Sequence, residues 1–305
     1  MTDSGTGALS RHDARFIRDA LSIQDADPRD THNLGYTARI LTIATLPHRA
    51  QPGDHFERTN GNYRLVVQAM PGAGLPFGSY PRLLLAWLAT EIVRTRQREL
   101  AIGASMADFL RQLGLGRSGG RAAHARSAGT IHRLKCQIMS LFGSRLILHK
   151  QSSREQIELL QIGERFDFWT DPAKPGVLPG TLRVSEPLYE HILRAPVPVD
   201  LRALRALKRS PLALDVYTWL THRNFVQQNG GRKQAMVPWG ALQRQFGSDY
   251  PLDSRGRADF KKAFHSAYRR VQLVYPKASV RDNGDCLTLI TTAPHIRTHR
   301  LIGTR

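Results

Sequence analysis

Acidic residues are scarce in this 305-residue chain: 25 Asp and Glu stand against 44 Lys and Arg, a formal charge of +19. Cysteine is scarcer still. Cys136 and Cys286 match no zinc-ligand spacing and are too few for a disulfide framework, so each is expected as a small buried hydrophobe. No apolar run approaches the ~18 residues of a membrane helix, and the opening MTDSGTGALSRHD lacks the apolar centre of a signal peptide. The expectation is a soluble cytoplasmic protein with no membrane partner. There is no G-x-x-x-x-G-K-[ST], which speaks against a P-loop. Gly114-Leu115-Gly116-Arg117-Ser118-Gly119 fits G-x-G-x-x-G, but a helical pattern precedes it and no acid lies about 20 residues on, so a dinucleotide site is not expected. His295 and His299 stand four apart without a third ligand nearby. No paired carboxylates and no Ser/His/Asp arrangement can be singled out. Neither a metal, a cofactor nor catalysis is expected.

What is present is positive charge on a chain able to fold. Hydrophobic residues make up 41%, enough for a core, and the length suits two domains. A charge this large predicts a polyanionic partner, and nucleic acid suits it best, because no basic amphipathic membrane anchor stands out.

Residues 81–142 organise the first half. PRLLLAWLATEIVRTRQ has helical spacing, with Leu84, Trp87, Leu88 and Ile92 on one face. Ser105 and Asp108 form a capping pair for a second helix, SMADFLRQLGL. The turn GRSGGR leads to a long basic helix whose stripe is Ile131, Leu134, Ile138, Leu141 and Phe142. The strand-like runs RLILHK and EQIELLQI follow. Helix, helix, basic helix, hairpin is the order of a winged helix-turn-helix. Upstream, TARILTIATL and NYRLVVQAM read as strands, with Asn60-Gly61 as a turn signal.

The second half repeats this plan. LLAWLAT (84–90) aligns with VYTWLTH (216–222), placing Trp87 over Trp219. From Trp87 to Gly114 is 27 residues and from Trp219 to Gly247 is 28, one insertion apart. A long basic helix, SRGRADFKKAFHSAYRRVQLVY, and a hairpin turning at Asn283-Gly284 complete the unit. The fold expected is therefore mainly α with small β-hairpins (α+β), built as two tandem winged-helix domains related by internal duplication. Residues 1–35 are expected as a loosely attached helical arm, 36–170 as the first domain with its leading strands, and 171–184 as a linker. The second domain is placed at 185–292 and a basic tail at 293–305.

DNA-facing candidates come from helix faces. In 254–275, Phe260, Phe264, Ala267, Val271 and Val274 share one side, with Lys261, His265 and Arg269 opposite and Lys262 beside them. Arg255 and Arg257 stand at the helix start, where the dipole attracts phosphate, and only Asp259 is acidic within the stretch. In the first unit the equivalents are Arg121, Arg126, Thr130 and Arg133, with Gln137 on the same face. Lys150 and Arg154 flank the first hairpin turn; Lys277 and Arg281 serve the second. Phosphate contacts would supply affinity and helix-centre side chains the base reading.

The run GLPFGSYPRLLLAWLATEIVRTRQRELAIGASMADFLRQLGL, with the preceding TLPHR and PGDHFERTNGNYRLVVQA, resembles the plasmid-encoded RepA replication initiator family. The likeness is specific over 46–142 and extends to about 292; the loop GRSGGRAAHARSAGT is longer than the family pattern leads one to expect. The resemblance implies an initiator that binds repeated origin sequences (iterons) in double-stranded DNA and helps open an adjacent AT-rich segment. It also implies recruitment of the host initiator and replicative helicase, and a homodimer as the repressing form. The residues alone leave open a winged-helix repressor, a nicking enzyme or a basic RNA-binding protein.

Overall fold

The computed structural model describes residues 10–103, 105–115, 122–153, 155–167, 180–247 and 249–296. Helix α1 (Arg11–Asp25) starts at Ser10, whose hydroxyl accepts from the Asp13 N–H. Phe16, Ala20 and Ile23 are buried at i, i+4 and i+7 in the core of the second module, while Leu21 stays exposed. Residues 11–25 are thus not a loose arm. Gln24 Nε2 donates to the Leu273 carbonyl at 2.7 Å, and Arg202 Nη2 to that of Ala26 at 2.7 Å, fixing both the helix and its exit.

Strand β1 (Leu34–Ala38) ends earlier than the apolar run TARILTIATL suggested, and α2 (Ile40–Ile43) takes over. Ile40, Leu41 and Thr42 are all buried; a continuous apolar run buried on every side carries no period to separate strand from helix. The first module then holds β2 (His55–Asn60), β3 (Tyr63–Gln68), α3 (Ser79–Thr95), β4 (Glu99–Ala101), α4 (Met106–Gln112) and α5 (Ala122–Phe142). It continues with β5 (Arg145–Gln151), β6 (Glu155–Gln161), β7 (Gly163–Asp167) and β8 (Thr181–Val184). These strands form a four-stranded antiparallel sheet in the order β2-β3-β5-β6 and a three-stranded one in the order β4-β8-β7.

Two expected boundaries move. Thr181–Val184 is the central strand of a sheet, with Leu182 and Val184 buried, so the expected linker ends before it; residues 171–179 lie outside the described residues. Helix α6 (Glu186–Arg194) follows, and its Leu188 and Ile192 belong to the first core, not the second. From β9 (Pro196–Asp200) and α7 (Leu201–Leu207) onward the chain builds the second core, which α1 and Leu83 and Ala86 of α3 also join.

The second module comprises α8 (Pro211–Asn229), β10 (Gln234–Pro238), α9 (Trp239–Phe246), α10 (Ser254–Val274), β11 (Ser279–Asp282) and β12 (Cys286–Ile290). Its sheet order is β10-β12-β11, first–third–second, as in β4-β8-β7. Helix, strand, helix, long helix and hairpin recur in both halves: two tandem winged-helix modules with α+β character. The aligned tryptophans do the same work. Trp87 meets Phe109 of α4 edge-on at 4.8 Å, and Trp219 meets Phe246 of α9 edge-on at 5.5 Å.

The modules are tied together. β1 pairs antiparallel with β9 over five residue pairs. Arg82 on α3 reaches Asp215 on α8 through Nε (2.6 Å) and Nη2 (2.7 Å), and His48 Nε2 lies 2.7 Å from the same carboxylate. All three side chains are buried. Thr45 donates to the Gln245 carbonyl, Gln245 Nε2 to that of Thr42, and Arg58 Nη1 to that of Arg244.

Candidate nucleic-acid interface

Helix α10 is built as its period dictates. Phe260, Phe264, Ala267, Val271 and Val274 are buried, joined by Tyr268. Asp253 caps the helix by accepting from the Gly256 N–H at 2.6 Å. Gly256 is required there, since a Cβ would fall 2.1 Å from the Pro251 carbonyl oxygen. The cap places a carboxylate at the helix start, so that end is less cationic than Arg255 and Arg257 alone implied. Arg255, Arg257, Lys262 and Arg269 are exposed. Lys262 pairs with Asp259 at 3.8 Å, on a side chain that stays 82% exposed; such a pair is weak and yields readily to phosphate.

Lys261 and His265 do something else. The Lys261 ammonium donates to the Gly284 carbonyl at 2.7 Å, lies 3.4 Å from Asp282 and sits over the Trp239 ring at 4.9 Å. His265 Nε2 lies 3.0 Å from Asp282 Oδ2, and Trp239 Nε1 donates to Oδ1 at 2.9 Å. These two side chains face the β11–β12 turn rather than a groove, and they fix the wing to α9 and α10. Burial pushes the Asp282 carboxyl up, but donation from Trp239, His265 and the Gly284 N–H, with the Lys261 charge, outweighs it and holds the pKa at about 2. Lys277, between α10 and β11, and Arg281, on β11, are exposed on the wing.

In the first module Leu134, Ile138, Leu141 and Phe142 of α5 are buried and Ile131 packs on them. Arg133 is exposed, its Nε donating to the Gly129 carbonyl at 3.2 Å; Thr130 is half-buried. Gln137 is no groove-facing residue: it is buried, and its Oε1 accepts from the Phe77 N–H at 2.9 Å. Arg126 lies on α5 in a part whose side chains are not described; Arg121 and Arg154 lie outside the described residues. Lys150 is on strand β5, its ammonium 5.8 Å from the Tyr63 ring centre. Cys136 is exposed rather than buried, with His132 Nε2 at 3.5 Å from its sulfur, and Cys286 is half-buried.

The assignment of the first wing changes. The hairpin of Lys150 belongs to the four-stranded sheet with β2 and β3, whereas β4-β8-β7 repeats the second module's order. By topology the first wing is β7–β8; residues 168–179, between these strands, lie outside the described residues.

The sequence profile of the plasmid-encoded RepA protein family matches residues 75–241, just over half the chain. This chain belongs to the plasmid-encoded RepA family. No curated protein matches it by sequence. Among solved structures it is similar to domains 2 and 3 of RctB. One such structure gives a TM-score of 0.51 at 12% identity, covering 83% of this chain and 95% of that one. Another gives 0.49 at 13%, covering 85% and 98%. At that identity the likeness is one of fold.

For this RepA-family chain, sequence reasoning missed Asp282, Trp239 and the Arg82–Asp215–His48 cluster. Trp239 follows Pro238 at a helix start and Asp282 precedes Asn283-Gly284, so each was visible as punctuation. Their convergence on one carboxylate depends on tertiary contact. Among the described residues no group of His, Cys, Asp and Glu could hold a metal, and no helix is long and apolar enough to cross a membrane.

Proposed function

We propose that this chain is a plasmid replication initiator that binds repeated origin sequences in double-stranded DNA through both winged-helix modules and acts by binding, without catalysis. Family membership supports the initiator role. The observation that carries DNA binding is α10: its inner face is buried, its wing is fixed through Asp282, and Arg255, Arg257, Lys262 and Arg269 are left to solvent. A helix held this way can enter a major groove while Lys277 and Arg281 meet the flanking backbone. Two tethered modules on one duplex would read sites about 34 Å apart and gain affinity through effective concentration. Opening of the origin, recruitment of the host initiator and helicase, and a repressing homodimer complete the reading.

The test is footprinting of the full chain on DNA flanking its own gene. A repeated protected motif is expected, with a log–log salt slope near −7 if about 8 phosphates are neutralised. Lys262→Glu with Arg269→Glu should abolish the footprint at unchanged thermal stability. Protection retained by that variant would remove α10 from the mechanism. An origin-dependent plasmid maintenance assay separates initiation from repression.

A further inference from the structure

The second half of α8 and the turn that follows it carry a run of cations. His222 and Arg223 are half-buried there; Arg232 follows the Gly230-Gly231 turn, and Arg39 immediately precedes α2, which packs on α8. Among the described residues none of these four side chains has a hydrogen-bond or ion-pair partner. His222 and Arg223 stand too far from the end of α8 to meet its last carbonyls, which accept instead from the backbone N–H groups of Gly230, Gly231 and Arg232 at Val226, Gln228 and Gln227. Arg223 Nε is buried and unpartnered, and so are both amide atoms of Gln227, one turn further along and 3% exposed.

Adjacent members of the group feel one another. Burial, then the charges of Arg39 and Arg223, hold the His222 pKa down to about 4. Burial and the Arg232 charge lower that of Arg223. Like charges held close and partly dry are unfavourable unless an anion joins them. The cluster lies at the Gln234–Ile290 end of the β10–β12 ladder, whereas the wing turn lies at the Pro238–Cys286 end. A duplex under α10 therefore does not account for it.

We propose that Arg39, His222, Arg223 and Arg232 form a phosphate site for a nucleic-acid backbone, separate from the two recognition helices. Three guanidiniums present planar forks that match non-bridging phosphate oxygens, and neutral His222 adds a donor between them. Exposed Lys233 follows Arg232 directly and adds a further cation on that side. The site would hold a segment of nucleic acid other than the one read by α10. This inference rests on the reading of the chain as a DNA-binding initiator.

The full chain, its Arg223→Gln/Arg232→Gln variant and the Lys262→Glu/Arg269→Glu variant are compared in two arms. In the first, inorganic phosphate replaces chloride at matched ionic strength and Tm is measured. The wild type and the α10 variant should gain a few degrees and Arg223→Gln/Arg232→Gln should gain none. In chloride alone that variant should melt at or above wild type, since it removes unpaired cations. In the second arm, a fluorescein-labelled mixed-sequence oligonucleotide of about 30 nucleotides, single-stranded or duplex, is titrated. Arg223→Gln/Arg232→Gln should bind about fivefold more weakly, with a salt slope shallower by about 1. Arg39→Gln, at an exposed position, should reproduce both effects. A Tm rise and oligonucleotide affinity both unchanged in these variants would overturn the site. If the wild type prefers no duplex sequence while the phosphate effect persists, the origin-binding reading fails and the site stands.

Discussion

Asp282 decides how the wing of the second module is held. Lys261, His265 and Trp239 reach it from two helices, so the wing turn and α10 move as one piece. Asp282→Asn keeps an acceptor for Trp239 but removes the charge that Lys261 and His265 face. Faster amide exchange at 279–290 is expected, with a loss of about 1 kcal/mol, small because solvent screens a half-open cluster. The folded pKa of about 2 lies below the unperturbed carboxylate value. The contribution is therefore full above pH ~4 and lost as pH falls toward the folded value, and the Asn variant should lack that acid limb. The burial of Phe260, Phe264 and Val271 was legible from period alone. The roles of Lys261 and His265 were not, because their partner lies 17 to 21 residues on, across a turn that local pattern does not orient.

At the scale of elements, pattern identified helices well and sheet membership poorly. RLILHK and EQIELLQI were legible as a hairpin, but nothing local says that a hairpin joins β2 and β3 rather than forming the wing; that is set by long-range pairing. The resulting sheet has unequal edges. β2 lies against α9, whereas β6 is a terminal strand with Ile157 and Leu159 exposed at 61% and 58%. Two apolar side chains on one face of an open edge invite strand addition, and antiparallel pairing of two copies about Glu158 would set Ile157 opposite Leu159. The homodimer proposed above would form here. Ile157→Lys should shift the chain toward monomer in sedimentation while Tm falls little, since the removed side chain is exposed. A dimer unaffected by that change would place the interface elsewhere.

At the scale of the whole molecule, the halves do not behave as beads on a string. The β1–β9 ladder, Leu83 and Ala86 of α3 in the second core, and the Arg82–Asp215 pair span them, so heat unfolding in one transition is expected by calorimetry. Acid should erode that unit early. Burial keeps His48, His222 and His295 below the ordinary histidine value, the last two at about 4. A depressed folded pKa means the unfolded chain takes up protons first. Stability is then full above pH ~6.5 and lost as pH falls toward 4, by at most about 1.4 kcal/mol per unit for each such histidine.

Asp215 carries the sharpest consequence of this arrangement. Burial raises its carboxyl, but the Arg82 charge and the bonds from His48 and Arg82 prevail and keep it ionised. Arg82 also donates to the carbonyls of Pro47, Gly78 and Leu46, so the guanidinium cannot swing to water without breaking the turn that leads into α3. Asp215→Ala would strand that cation, at a cost of about 3–5 kcal/mol. Replacing both partners, Arg82→Met with Asp215→Leu, removes the stranded charge and should recover part of the loss, the remainder being the three carbonyls that lose their Arg82 donor. The double-mutant cycle by urea denaturation measures the coupling. If the double variant is as unstable as Asp215→Ala, the pair is not what holds α3 to α8, and the seam is apolar packing alone.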